Sequence, residues 1–201
     1  MNKVHSVIII PGLGGETRML QLATNHWKRH GLDTIVHSVG WRDGEPSFEP
    51  KLKILVEMID RLTNKGVVVS LVGTSAGGSA ALNAFIERRN VVHRVVNVCG
   101  RLRKGPSTGF RSFEAKTASS PSFAESVKLF ESREGSLTDL DKQKIMTVRA
   151  MFGDELVPAN TTILQGALNT KVPSPEHVFS IGMSLTLFSK PVILFLKGTN
   201  S

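Results

Sequence analysis

The chain has 201 residues and a mass of 21.9 kDa, which is the size of one domain. Its composition, 40% hydrophobic and 21% charged, is that of a globular protein and excludes wholesale disorder. The net charge is +8, and the excess is concentrated between Arg88 and Lys116, where eight basic residues accompany one acid. No recognised nucleic-acid motif accompanies this charge, so no nucleic-acid partner is expected.

Cysteine usage and hydropathy predict the compartment. The single cysteine, Cys99, has no partner for an internal disulfide, and no Cys/His cluster has zinc spacing. The apolar run Val7–Ile10 ends at Pro11 and is too short for a secretory signal. Polar residues interrupt Phe179–Leu196, so no transmembrane segment is expected. These features predict a reduced, soluble, cytoplasmic protein that needs no metal.

Short β-branched runs alternate with segments of helical periodicity along the chain. Strands are predicted at Val4–Ile10, Asp33–Val39, Val67–Val72, Val91–Val98, Met146–Phe152 and Leu164–Val172. Helices are predicted at Thr17–His30, Lys51–Asn64, Ser75–Arg89 and from Val178 onward, with a break or restart at Pro191. This alternation is typical of an α/β fold: a mainly parallel sheet of about six strands with helices on both faces. No repeat or linker divides residues 1–201, which are expected to form one domain.

A G-x-S-x-G motif follows the third predicted strand, as Gly73-Thr74-Ser75-Ala76-Gly77. A serine at a sharp strand-to-helix turn needs glycine neighbours, because the close packing of the helix on the strand leaves no room for Cβ atoms. Such a turn raises the hydroxyl to the carboxyl edge of the sheet, beside a helix N-terminus that favours developing negative charge. The motif therefore predicts a nucleophilic serine.

Two further candidate residues, Asp154 and His177, follow Ser75 along the chain. Asp154 comes directly after the fifth predicted strand, and carboxyl ends of parallel strands share one edge of a sheet. His177, in a proline-rich turn, is the only histidine of the six that lies downstream of Asp154. The chain order Ser75, Asp154, His177 is that of α/β-hydrolases and differs from the orders in chymotrypsin and subtilisin.

Asp139 and Asp141 are the alternatives to Asp154 as the acidic group. The sequence Ser136–Asp139 favours another role for this region, because Ser-x-x-Asp is typical of a capping box that opens an exposed helix. Asp154 is therefore the preferred candidate, although a Gly-Asp pair also occurs in ordinary turns.

On these motifs the sequence resembles the α/β-hydrolase superfamily over nearly its whole length, in a minimal form. The resemblance implies that Ser75 is the nucleophile, His177 the base and Asp154 the group that orients the imidazole. It also implies an oxyanion hole formed by the backbone N–H groups of Ala76 and Leu13, the latter in the loop after the first strand.

The resemblance implies a serine hydrolase that cleaves a carboxylic ester or thioester of a small-molecule acyl substrate, without any cofactor. Two alternatives stay open at this point. The same fold can serve a non-catalytic binding protein, and the same triad can serve an acyltransferase. Oligomeric state is not readable from the sequence.

The basic segment supplies a hypothesis about the substrate. Arg101, Arg103 and Lys104 directly follow the fourth strand, and segment 101–133 is a candidate small lid with four aromatic residues: Phe110, Phe113, Phe123 and Phe130. A lid with an aromatic face and basic residues, Arg111 among them, suits an anionic acyl substrate. The alternative is a solvated, solubilising surface without a function in recognition.

Overall fold

The computed structural model describes residues 4–106, 108–109 and 112–199. Its centre is a six-stranded sheet in the order β2-β1-β3-β4-β5-β6, with every neighbouring pair parallel. The strands are β1 (His5–Ile10), β2 (Leu32–Val36), β3 (Val68–Thr74), β4 (Val92–Val98), β5 (Ile145–Ala150) and β6 (Leu168–Val172). The predicted fold class, sheet type and strand number are confirmed.

Eight α-helices connect or follow these strands in the described ranges. They are α1 (Thr17–Thr24), α2 (Glu49–Thr63), α3 (Gly77–Glu87), α4 (Phe113–Thr117), α5 (Pro121–Arg133), α6 (Asp139–Lys142), α7 (His177–Leu185) and α8 (Lys190–Lys197). The predicted helix Thr17–His30 is α-helical only to Thr24 and continues as a 3-10 helix, Asn25–His30. The final helical segment is interrupted after Leu185 and restarts as α8, with Pro191 in its first turn, as the predicted restart at Pro191 requires.

Two apolar layers bury the sheet. Ile8 and Ile10 of β1 point to one face, where α2, α3 and α5 pack, and Val7 and Ile9 point to the other, where α1, α7 and α8 pack. The inner strands β1 and β3 are buried on both faces for this reason, whereas the edge strand β6 is largely exposed.

The strand order places a crevice beside β1. The chain moves from β1 outward to β2 and then returns to the other side of β1 as β3, so the connections after β1 and β3 lead away to opposite faces. Ligand sites of open parallel sheets form where the strand order reverses, outside the carboxyl ends of the strands. The loop after β1 and the G-x-S-x-G motif after β3 both lie there.

The described aromatic residues of segment 101–133 lie in the core, where the sequence suggested a lid with an aromatic face. Helix α5 packs against α3. Phe113, Phe123 and Phe130 are all buried in the same apolar layer as α2 and α3. Their burial in that layer keeps these three rings away from solvent. Phe110 and Arg111 lie outside the described residues.

Candidate active site

Ser75 stands on a tight turn between β3 and α3. Its φ is +51°, a left-handed conformation that a residue with a side chain adopts only under constraint from its surroundings. The constraint is visible: a Cβ atom on Gly73 would lie 2.1 Å from the Gly77 carbonyl oxygen, and one on Gly77 would lie 2.1 Å from that of Ile10. The two glycines let α3 pack directly against the ends of β3 and β1, and this packing lifts the Ser75 side chain out of the turn.

His177 lies directly opposite this serine. The distance from its Nε2 to the Ser75 Oγ is 2.9 Å, although 102 residues separate them in sequence. His177 is the first residue of α7 and is 3% exposed, so the ring is held by the core with one edge toward Ser75. The sequence placed His177 in a turn, and the structure places it at the start of a helix.

Asp154 completes the row of polar groups. Its Oδ2 lies 2.7 Å from His177 Nδ1, and its Oδ1 accepts hydrogen bonds of 2.8 Å from the backbone N–H groups of Leu156 and Val157. A carboxylate fixed through one oxygen orients the imidazole through the other, which directs Nε2 toward Ser75. The structure thus brings together the three side chains that the motif order singled out.

The alternative acids have a structural role. Asp141 forms a capping box with Thr138 at the start of α6 and an ion pair of 3.2 Å with Arg89. The box therefore lies two residues beyond the predicted Ser136–Asp139. Hydrogen bonds from Thr138 and the neighbouring Arg89 charge lower the pKa of Asp141, although burial opposes them.

Two glutamates hold the start of α7, and sequence reasoning missed both contacts. Glu155 accepts a hydrogen bond from the backbone N–H of His177 at 3.3 Å, and Glu176 accepts from those of Val178 and Phe179. Carboxylates favour a helix N-terminus because the free N–H groups and the helix dipole attract them. The one advance signal in the sequence was Glu176 directly before His177, and glutamate is not a typical N-cap residue.

The loop after β1 faces Ser75 from the other side. The Gly15 N–H closes the loop onto the Gly12 carbonyl at 3.0 Å, and the Trp41 indole N–H donates to the Pro11 carbonyl at 3.0 Å. A Cβ atom on Gly12 would lie 2.8 Å from that of Ser75, so the loop and the serine are in close contact. Leu13 lies at the bend of this loop.

Cys99 occupies the equivalent turn after β4. It has the second positive φ among the described non-glycine residues, +53°, and its side chain is buried. Burial, together with the charge of Asp154, raises the pKa of the Cys99 thiol to about 12. The thiol therefore stays neutral in the physiological range.

Two of the three basic residues after β4 are bound to partners within the protein. Arg101 is 1% exposed, donates to the carbonyl oxygens of Arg103 and Lys104, and stacks over the Phe113 ring. Arg103 forms a two-pronged ion pair with Glu134. Both guanidiniums therefore hold the loop together, and the exposed Lys104 is the one member of the group that points to solvent.

Neither a metal nor a membrane span stands out in the part of the chain that the structure describes. Within those ranges no group of three or more histidine, cysteine, aspartate or glutamate side chains has the arrangement of a metal site. No single described helix is long and apolar enough to cross a membrane. Together α7 and α8 pass that test by length and composition only, with a bend of 57° between them.

Comparison with known proteins supports the fold. No protein-family model matches the sequence, and no curated protein does. An α/β hydrolase, MGS-MChE2 from the metagenome of Mar Chica lagoon sediments, superposes with a TM-score of 0.67 at 17% identity over 98% of this chain and 92% of its own. Est1E from Butyrivibrio proteoclasticus gives 0.65 at 15% identity over 99% and 89%.

A soluble variant of monoglyceride lipase from Saccharomyces cerevisiae superposes with a TM-score of 0.63 at 13% identity, over 100% of this chain and 89% of that one. Likeness at such low identity concerns the fold. The chain has the α/β-hydrolase fold, and the resemblance expected from the motif order is confirmed at that level.

Proposed function

We propose that this protein is a serine hydrolase that cleaves carboxylic esters or thioesters of small molecules. One observation carries the proposal: Ser75 Oγ, His177 Nε2, His177 Nδ1 and Asp154 Oδ2 form a row with separations of 2.9 and 2.7 Å at the two hydrogen bonds. Nucleophile, base and orienting acid in hydrogen-bond contact are the arrangement that activates a serine.

In this proposal Ser75 Oγ attacks the acyl carbon while His177 Nε2 accepts the hydroxyl proton. The Ala76 and Leu13 amides stabilise the oxyanion, each contributing about 3 kcal/mol if they resemble measured oxyanion-hole donors. Collapse of the tetrahedral intermediate breaks the bond to the alcohol or thiol, which takes the proton from His177. Water, deprotonated by His177, then attacks the acyl-enzyme, and cleavage of the bond to Ser75 Oγ, which takes the proton back from His177, releases a carboxylic acid. These steps require no metal or organic cofactor.

Lipases and esterases among the structural neighbours are consistent with this chemistry. Partial exposure of Ser75 also fits, because a nucleophile must meet its substrate. A non-catalytic binder would have no need for a strained serine hydrogen-bonded to a buried histidine.

A fluorophosphonate probe tests the proposal. We expect covalent labelling of Ser75, located by peptide mass spectrometry, together with hydrolysis of p-nitrophenyl acetate. A folded protein that is neither labelled nor active would contradict the proposal and favour a binding protein. Labelling with turnover that depends on an added alcohol or thiol acceptor would identify an acyltransferase instead.

A further inference from the structure

Large apolar side chains are exposed on three segments that carry or adjoin the candidate site. Phe152 is 69% exposed, Val178 68% and Phe179 58%. Met19 is 63% exposed on α1. Single exposed apolar residues are ordinary, but a group of four on neighbouring segments marks a surface that meets an apolar partner. We call these four residues the apolar rim.

Three residues of the apolar rim lie on the same segments as His177 and Asp154. Val178 and Phe179 directly follow His177 in the first turn of α7, and their exposed side chains begin the surface next to the residue whose Nε2 meets Ser75. Phe152 lies two residues before Asp154, and its N–H donates to the Ser174 carbonyl at 3.3 Å, next to the start of α7.

Met19 belongs to the neighbouring helix. It lies in the first turn of α1, directly after the loop that contacts Ser75, and α1 packs against α7. The rim therefore spans the two helices that begin at this edge of the sheet.

The charges on the same three segments are mostly negative. Residues 12–19, 152–155 and 176–179 carry four carboxylates and one guanidinium: Glu16, Asp154, Glu155, Glu176 and Arg18. Arg101 and Arg103, which could have supplied positive charge, are bound to backbone carbonyls of their loop and to Glu134, respectively. A carboxylate on the substrate would thus meet like charges, which disfavour its approach.

From the exposure of these four side chains on the segments that carry Asp154 and His177 or adjoin the loop that contacts Ser75, we infer that the site accepts uncharged esters with apolar acyl chains, and that the apolar rim contacts the acyl chain and determines the preference for its length. This inference rests on the proposed function and replaces the anionic substrate expected from the basic segment. Each methylene buried against the rim should raise kcat/KM by roughly two- to fourfold, since full burial of one CH₂ group corresponds to about fourfold.

A matched ester series tests the inference. The substrates are p-nitrophenyl acetate, butyrate and hexanoate, with the p-nitrophenyl monoester of adipic acid as a hexanoate-length chain that ends in a carboxylate. We expect kcat/KM to rise from acetate to hexanoate and to fall at least tenfold from hexanoate to the adipate ester. A flat series, or an adipate ester turned over as well as hexanoate, would overturn the inference.

Variants of the apolar rim test whether its residues determine the preference for acyl-chain length. Phe179→Ser and Phe152→Ser should each lower the ratio of the hexanoate kcat/KM to the acetate kcat/KM at least threefold. The ratio is independent of the fraction of active protein, so partial misfolding does not affect it. Leu187→Ser is the matched control: Leu187 is 82% exposed but lies beyond the opposite end of α7, and its substitution should leave the ratio unchanged.

Equal ratios in wild type, both rim variants and the control would show that the rim does not contact the acyl chain. That result, obtained with an enzyme that still hydrolyses acetate, would leave the proposed function standing. Failure of the proposed function has a different signature, because no ester of the series would then be cleaved and Ser75 would not react with the fluorophosphonate.

Discussion

Two turns on neighbouring strands have the same strained backbone and different surroundings. After β3, Ser75 has φ +51°; after β4, Cys99 has φ +53°. The two turns also touch, because the Ser75 N–H donates to the Val98 carbonyl at 2.9 Å, and a Cβ atom on Gly100 would lie 2.6 Å from the Ser75 carbonyl oxygen. A cysteine thiol is intrinsically the better nucleophile, yet it occupies the turn without a base.

The surroundings account for the difference. Ser75 is partly exposed, precedes α3 and meets the Nε2 of His177. Cys99 is buried, and both burial and the Asp154 charge keep its thiol protonated. A left-handed residue at a strand end is therefore not enough for reactivity. Access, a base within hydrogen-bond distance and favourable electrostatics are what separate the two turns.

The largest effect should come from removing the Ser75 hydroxyl. Ser75→Ala leaves the buried framework intact but removes the nucleophile, and loss of a triad serine typically lowers kcat by about a millionfold. The measurement is kcat for p-nitrophenyl acetate, with circular dichroism as the control for folding. A folded variant with activity near the wild-type value would overturn the assignment of Ser75.

The next largest effect concerns the acid. Asp154→Asn places an amide where the imidazole N–H needs an acceptor, so the wrong tautomer of His177 is favoured and kcat should fall by about 10⁴. Asp139→Asn, at an exposed position of α6, is the matched control and should keep kcat within a few-fold. Greater sensitivity of Asp139 than of Asp154 would contradict the proposed roles.

A smaller effect is expected from crowding the Ser75 turn. A methyl group on Gly77 would lie 2.1 Å from the Ile10 carbonyl oxygen, so Gly77→Ala must shift backbone and displace Ser75. We expect a loss of about 1–3 kcal/mol in the free energy of unfolding. We also expect kcat to fall by up to about a hundredfold, the cost of a 1 Å misplacement.

Gly135→Ala is the control for this steric argument, because a Cβ atom there would have no neighbour within 4 Å. Urea denaturation and kcat should both stay close to wild type in this variant. Equal stabilities for the two glycine variants would show that the turn after β3 tolerates a side chain at Gly77, and that its strain is not enforced by packing against β1.

Much of this arrangement could be predicted because its causes are local or topological. The spacing of Gly73, Ser75 and Gly77 reports a steric requirement that no other residue type meets. Parallel strands carry their carboxyl ends to one edge, so the residues after β3 and β5 were expected to meet there. The helical start at His177 was missed because its carboxylate caps come from Glu155 and Glu176, a pattern that propensities do not favour.

The basic segment illustrates what a charge pattern cannot show. From the sequence alone, Arg101 and Arg103 are expected to be solvated cations, since arginine is seldom buried. In the fold, backbone carbonyls of the same loop and Glu134, 31 residues from Arg103, provide their acceptors. Whether such acceptors lie nearby depends on how the loop and α5 pack together. The spacing of residues along the sequence does not predict that packing.

Moving the cysteine sulfur from the turn after β4 to the turn after β3 tests how far the surroundings of each turn control reactivity. In wild type, Cys99 should react negligibly with iodoacetamide between pH 7 and 9, because the thiolate is the reactive form and a pKa of about 12 leaves little of it. In the double variant Ser75→Cys with Cys99→Ala, the thiol would face His177 Nε2 and should be alkylated at least a hundredfold faster. The rate is followed by intact-protein mass spectrometry, and urea-unfolded samples of both proteins provide the reference in which the two thiols should react alike. Equal rates for the two folded proteins would mean that the backbone turn, and not the histidine and the exposure, governs reactivity at these strand ends.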